Sequence, residues 1–322
     1  MIRFENVTKH YRDGDYAVKN LHMEIKEGEL FVIIGPSGSG KTTTLKMINR
    51  LMEASSGTIT INGKEISNYN IHELRWNIGY VLQQIALFPH LTIAENIAVV
   101  PEMKKWGKEK ISSRINELLD MVGLDHNTYK NRKPSELSGG EQQRVGVIRA
   151  LAADPEILLM DEPFSALDPI SREKLQSDIL KLQKKIKKTI VFVTHDIDEA
   201  IKMADRICLM NHGEAVQIDT PQDLISHPVN SFVREFTGGR EQKEESLNSP
   251  IADFLHILSD ETETSGSIPS IASSSSLSDL IGLLAHEEKL AVVEDGRVLG
   301  IAARPHVLQY MSGQLASKGE KG

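Results

Sequence analysis

Several clusters in this 322-residue chain combine residue types and spacings that suit phosphate chemistry, and they lie far apart in sequence. The first is Gly35-Pro36-Ser37-Gly38-Ser39-Gly40-Lys41-Thr42, followed by Thr43, of the form G-x-x-x-x-G-K-[ST]. Its glycines let backbone N–H groups turn inward, and a helix beginning near Lys41 would aim its positive end at an anion. The Lys41 ammonium suits the β- and γ-phosphates of a nucleoside triphosphate, and the Thr42 hydroxyl suits Mg²⁺. The second cluster is Asp161-Glu162. Successive strand residues point to opposite sides, so adjacent carboxylates at a strand end take different tasks. Asp161 would hold the Mg²⁺ shell while Glu162 orients and deprotonates an attacking water. No second acceptor pocket of the kind a kinase needs is visible, so these residues favour hydrolysis. His195 ends a third apolar run and suits a hydrogen-bonding sensor of the γ-phosphate. Gln83, after Ile78-Gly79-Tyr80-Val81-Leu82, would couple Mg²⁺ and water to the segment that follows, a chemistry that Gln84 shares. Tyr11 has two readings, stacking on adenine and plain packing.

Three apolar runs must position these groups: Phe31-Val32-Ile33-Ile34, Ile157-Leu158-Leu159-Met160 and Thr189-Ile190-Val191-Phe192-Val193. None alternates apolar with polar. Such runs predict parallel strands covered on both faces, within an α/β fold. Each is followed at once by a chemical cluster, and open parallel sheets bind ligands outside the carboxyl ends of their strands. A further run, Leu137-Ser138-Gly139-Gly140-Glu141-Gln142-Gln143-Arg144, precedes a predicted helix over Glu141–Ala152. It offers a second helix N-terminus to an anion.

Charged residues at 25% and hydrophobic ones at 40% are ordinary for a globular protein of one large and one small domain. The net charge of −8 argues against nucleic acid as a partner. No apolar stretch approaches a bilayer span, and Met1-Ile2-Arg3-Phe4-Glu5 does not read as a signal peptide. The single Cys208, within Ile207-Cys208-Leu209-Met210, predicts a buried structural thiol in a reducing cytosol.

Together these motifs resemble the ATP-binding cassette (ABC) transporter ATPases over about residues 1–237. Gly35–Thr42 matches the family's phosphate loop, Gln83 its glutamine loop and Leu137–Arg144 its signature. Leu158–Glu162 matches the second nucleotide motif, Ser165-Ala166-Leu167-Asp168 the D-loop and His195 the switch histidine. The resemblance implies a P-loop NTPase fold: a mostly parallel core sheet, an N-terminal antiparallel part and a helical subdomain over about 85–155. It also implies ATP and Mg²⁺, and a head-to-tail homodimer in which the signature residues Ser138, Gly139, Gly140 and Gln142 meet ATP held by the other copy. Asp168 would couple the two sites. Transmembrane permease subunits, an extracytoplasmic solute-binding protein and a place at the cytoplasmic membrane face are implied as well. Leu87–Ile97 and Pro163–Ile170 are similar to importer ATPases for glycine betaine, choline and carnitine. ATPases for amino acids, polyamines and other small solutes share much of this pattern, and a soluble cassette without transport is a further alternative.

Residues 238–250 read as a polar, glycine-led linker, and 251–322 as a small second domain. From 238 on the chain carries 7 Lys/Arg and 13 Asp/Glu, so six of the eight net negative charges lie there. Ser276 and Asp279 are spaced as a capping box for a helix over Leu277–Ala285. Asp295-Gly296 between Lys289–Glu294 and Arg297–Ala303 predicts a hairpin, with a further helix from Pro305. This pattern resembles a single cystathionine-β-synthase (CBS) unit, read either as a ligand sensor or as a dimerisation appendage.

Overall fold

In the computed structural model the described residues are 1–11, 15–83, 86–165, 167–238, 250–252, 254 and 268–304. The chain divides into two units, Met1–Thr237 and Gly238–Gly322.

The first unit opens with strands β1 (Ile2–His10), β2 (Tyr16–Ile25) and β3 (Leu30–Ile34), then helix α1 (Lys41–Ile48). Strands β4 (Ser56–Ile61) and β5 (Lys64–Glu65), helix α2 (Ile71–Trp76) and strand β6 (Ile78–Val81) follow. A helical stretch comprises α3 (Ile93–Met103), α4 (Lys108–Met121), α5 (His126–Tyr129) and α6 (Gly139–Leu151). The chain then alternates through β7 (Ile157–Asp161), α7 (Pro169–Ile186), β8 (Thr189–Thr194), α8 (Ile197–Met203), β9 (Arg206–Asn211) and β10 (Glu214–Asp219). Helices α9 (Pro221–Ser226) and α10 (Ser231–Phe236) close the unit.

The apolar runs form β3, β7 and β8, neighbours in a six-stranded sheet of order β10-β9-β3-β8-β7-β6. All its pairings are parallel except the antiparallel edge strand β10. Their uniform hydrophobicity has a simple cause: each face of the sheet has its own core. Val32 and Ile34, Leu158 and Met160, and Ile190 and Phe192 join the core that also holds apolar residues of α3, α4 and α6. The alternate residues Phe31 and Ile33, Leu159, and Val191 and Val193 pack on the other side with β1, β2, β4 and α1. With both faces buried there is no solvent face on which polar residues would alternate. Strands β2-β1-β4-β5 form a separate antiparallel sheet.

Register puts the chemical ends in line. Ile34 pairs with Thr194, Val193 with Asp161, and Met160 with Val81. The segments beginning at Gly35, His195, Glu162 and Leu82 therefore leave four adjacent strands at one edge.

The second unit contains β11 (Ser270–Ala272), helix α11 (Leu277–Leu284), β12 (Lys289–Glu294) and β13 (Arg297–Ala303). β11 runs parallel to β12, with α11 as the crossover, and β12–β13 is the expected hairpin. Asp295 and Gly296 have φ 47° and 78°, the left-handed pair that a two-residue hairpin turn requires. The capping box on α11 is present as expected, with the Ser276 hydroxyl donating to Asp279 at 2.7 Å. Ile251, Leu280, Leu290 and Val292 are among its core residues. The predicted helix from Pro305 and most of the linker lie outside the described residues.

Candidate ATP site

The phosphate loop connects β3 to α1 and is tightly confined. A Cβ at Gly35 (φ 154°) would stand 2.1 Å from the Met210 carbonyl oxygen, and one at Gly40 (φ 99°) 2.2 Å from that of Ala17. Only glycine fits at either position. Gly40 is also the N-cap of α1 and supplies no side chain, so the first amides of the helix keep their donors for a ligand. Lys41 Nζ donates to the carbonyls of Gly35 and Pro36, both at 2.8 Å. Burial lowers its pKa, partly offset by the negative charges of Glu162 and Asp161. The Ser39 hydroxyl is buried with no hydrogen-bond partner among the described residues. An orphaned donor, an uncapped helix start and a lysine held by its own loop fit a polyphosphate.

Beside the loop is a cleft of about 460 Å³, lined by Gly38, Lys41, Thr42 and Thr43 and on another side by Tyr11 and Tyr16. Tyr11, with half its surface exposed, is on the cleft wall where stacking would need it. Its hydroxyl also reaches Met52 Sδ at 3.8 Å. Tyr16 carries no mark in its local sequence; its place comes from the antiparallel sheet, whose pairing brings it opposite His10.

Thr42 Oγ1 donates to Asp161 Oδ1 at 2.9 Å, so the hydroxyl and carboxylate expected to share Mg²⁺ already meet. The second Asp161 oxygen accepts from the Tyr80 hydroxyl at 3.4 Å. Burial, reinforced by Asp161, raises the Tyr80 pKa well beyond its ordinary value, keeping it a proton donor. Tyr80 lies three residues before Gln83 on β6, and nothing in the local sequence announces that it faces β7.

Glu162 requires a correction. Strand alternation predicts that it differs from Asp161 by pointing to the opposite side, yet β7 ends at Asp161 and Glu162 turns left-handed, φ 45°. Its N–H donates to Val193 O at 3.0 Å, and its carbonyl accepts from Ser165 Oγ at 3.0 Å. The surrounding bonds force a backbone shape that glutamate does not favour. The turn brings the carboxylate between two other predicted residues. Gln83 Nε2 donates to Glu162 Oε2 at 3.2 Å, and His195 Nδ1 is 3.4 Å from the same oxygen. Gln83 thus bonds to Glu162 rather than to Asp161, and Gln84 lies outside the described residues.

The signature is built differently. Ser138 N-caps α6, which begins at Gly139, two residues earlier than predicted. Its hydroxyl and N–H both donate to Glu141 Oε2 at 2.8 Å, and Tyr129 donates to Glu141 Oε1 at 2.6 Å. Gln142 Nε2 donates to Leu137 O at 3.0 Å. Gln143, which the sequence does not single out, is buried and donates to Pro163 O at 2.8 Å, tying the signature helix to the turn after Glu162. A Cβ at Gly140 would lie 3.0 Å from the Ser171 side chain, so this helix start packs closely on α7. Asp168 N-caps α7, accepting from the N–H groups of Ile170 and Ser171 at 3.1 and 3.0 Å.

Residues 18–165 match the family described as ABC transporter. The chain is 49% identical over 301 residues to the choline transport ATP-binding protein OpuBA of Bacillus subtilis (strain 168), covering 93% of this chain and 77% of that protein. The chain belongs to the ABC transporter family. This ABC ATPase is also 47% identical to the osmoprotectant import ATP-binding protein OsmV of Salmonella typhimurium, over 94% of its own length and 79% of the relative's. Among solved structures it resembles a dimeric post-hydrolysis ATP-binding cassette bound to ADP and Pi (TM-score 0.62, 40% identity). That match covers 69% of this chain and 99% of the other. No helix among the described residues is long and apolar enough to cross a membrane.

Proposed function

We propose that this ABC ATPase works as a homodimer with two shared ATP sites and drives import of quaternary ammonium osmoprotectants: glycine betaine, choline or carnitine. It would do so from the cytoplasmic face, through separate transmembrane permease subunits supplied by an extracytoplasmic solute-binding protein. The observation that carries the hydrolytic part is Glu162 held between Gln83 and His195 beside the phosphate loop.

ATP would enter the cleft with its phosphates over the α1 N-terminus and Lys41, and with adenine toward Tyr11. Mg²⁺ would be held by Thr42 and Asp161, with Gln83 nearby, where it would neutralise charge on the β- and γ-oxygens. Glu162 would accept a proton from the attacking water, while His195 would donate a hydrogen bond to the γ-phosphate. Ser138, Gly139 and Gly140 of a second copy would close on that phosphate from the opposite side, with Gln142 beside them. ATP would then hold the dimer together, and hydrolysis would release it. The cargo reading draws support from the names of OpuBA and OsmV. Solute choice would reside in the permease and binding protein. The second unit, with its β-α-β-β order, would act as a CBS-like regulatory appendage.

Glu162→Gln should bind ATP and accumulate as a dimer while turnover falls by about 10³-fold, measured by phosphate release and gel filtration. Near-normal hydrolysis would remove Glu162 from the base role. For the cargo, the chain should be co-purified with its permease and binding protein. Glycine betaine, choline or carnitine should then stimulate its ATPase activity; stimulation by an amino acid or polyamine alone would reassign the solute.

A further inference from the structure

Glu162 and His195 also border a smaller cavity of about 50 Å³, whose lining includes Arg172, Thr194, Asp196 and Glu199. Arg172 is in the first turn of α7, its N–H returning to Asp168 O at 2.9 Å. From there its guanidinium reaches across to the segment after β8. Nη1 is 3.7 Å from Asp196 Oδ2 and Nε 3.8 Å from Glu199 Oε1. Nη2 donates to Leu167 O at 3.4 Å. At 3.7 and 3.8 Å the two pairings are electrostatic rather than direct hydrogen bonds, and the cavity has room for a bridging water.

Glu199 makes this arrangement consequential. Its side chain is only 7% exposed, and a carboxylate so buried is costly unless compensated. Burial pushes its carboxyl up, while the Thr194 hydrogen bond and the Arg172 charge pull it back. Thr194 Oγ1 donates to Glu199 Oε2 at 2.5 Å and accepts from Asp196 N at 3.1 Å. Asp196 in turn caps α8 through Asp198 N and Glu199 N. His195 occupies the middle of this stapled turn with its own side chain 61% exposed. Its aim toward Glu162 therefore depends on the backbone to either side.

We propose that Arg172 is a positioning residue for hydrolysis, holding the His195 turn from the first turn of α7. A contact made by the exposed Asp168, the N-cap of α7, with a second copy would then be felt at the His195–Glu162 pair through the first turn of α7. The inference rests on the shared-site reading above.

Arg172→Gln should lower kcat about tenfold while KM for ATP stays within about twofold, the scale of a small misplacement in an assembled site. Arg172→Lys, which keeps the charge, should recover most of the lost rate. Glu199→Gln should lower kcat in the same direction, and its combination with Arg172→Gln should cost no more than the larger single change. Unchanged kcat in Arg172→Gln, a lysine variant no better than glutamine, or additive losses would each overturn the proposal. If Arg172→Gln does not fold, the kcat of Glu199→Gln decides in its place: a loss supports the proposal and an unchanged rate overturns it. ATP-driven dimerisation of Glu162→Gln, with Arg172 intact, separates the two readings. A chain that stays monomeric removes the shared site, whereas a dimer beside an unchanged Arg172→Gln rate removes only the role of Arg172.

Discussion

Two helix N-termini in this chain are aimed at phosphate by their sequence, and they are finished in opposite ways. At α1 the cap is Gly40, there is no acidic residue in the first turn, and no side chain takes up the leading amides. At α6 the cap is Ser138, locked to Glu141 in a complete capping box, with Tyr129 holding the other carboxylate oxygen. Both ends carry the same partial positive charge. One has no side chain over its leading amides, while at the other the Ser138 hydroxyl and N–H are held by Glu141 and must be released before Ser138 can serve an anion. The pair therefore predicts an order: phosphate settles first on α1, and α6 joins afterwards. A monomer with bound ATP is then a natural intermediate.

The hardest test of the open end is Gly40→Ala, because its methyl group would meet the Ala17 carbonyl. ATP affinity should fall by at least about 100-fold, or ~2.7 kcal/mol, in a fluorescent-nucleotide titration. An unchanged Kd would mean that the loop is not the cradle described. Next is Ser138→Arg at the latched end, which should reduce hydrolysis by at least about 30-fold and leave ATP binding to the monomer within about twofold. Wild-type turnover there would break the contrast, since α6 would then have no part in the reaction. The smallest effect concerns the latch itself. The Tyr129 hydroxyl and the Ser138 donors hold the Glu141 carboxyl below its usual range. A depressed carboxylate contributes its stability fully above the unfolded value, about 4.3, and loses it as pH falls through the lower folded value. The Ser138 amide resonance should therefore stay constant from neutral pH to about pH 4.3 and move only below it. A shift near neutrality would show that the latch is not ionic.

Much of the site was legible because phosphate loops and signatures depend on local chain geometry. Gly35–Thr42 and Leu137–Arg144 specify turns and helix starts within eight residues, and continuous apolar runs identify doubly covered strands. Contacts that depend on tertiary register were not legible. Tyr80, Gln143 and Arg172 are ordinary residues in their own segments, and each acquires its role by facing β7, the turn after Glu162 or the turn after β8. The conformation of Glu162 was hidden for a related reason. A strand pattern carries no mark of where the last residue swings left-handed, since that is imposed by Val193 and Ser165.

The left-handed turn at Glu162 also has a bearing on heat resistance. Glycine would sit there without penalty, whereas glutamate costs on the order of 1 kcal/mol in that conformation. The position of the proposed base is thus a place where backbone durability and the proposed chemistry pull apart, since the glycine that thermal selection would favour there has no carboxylate to accept a proton.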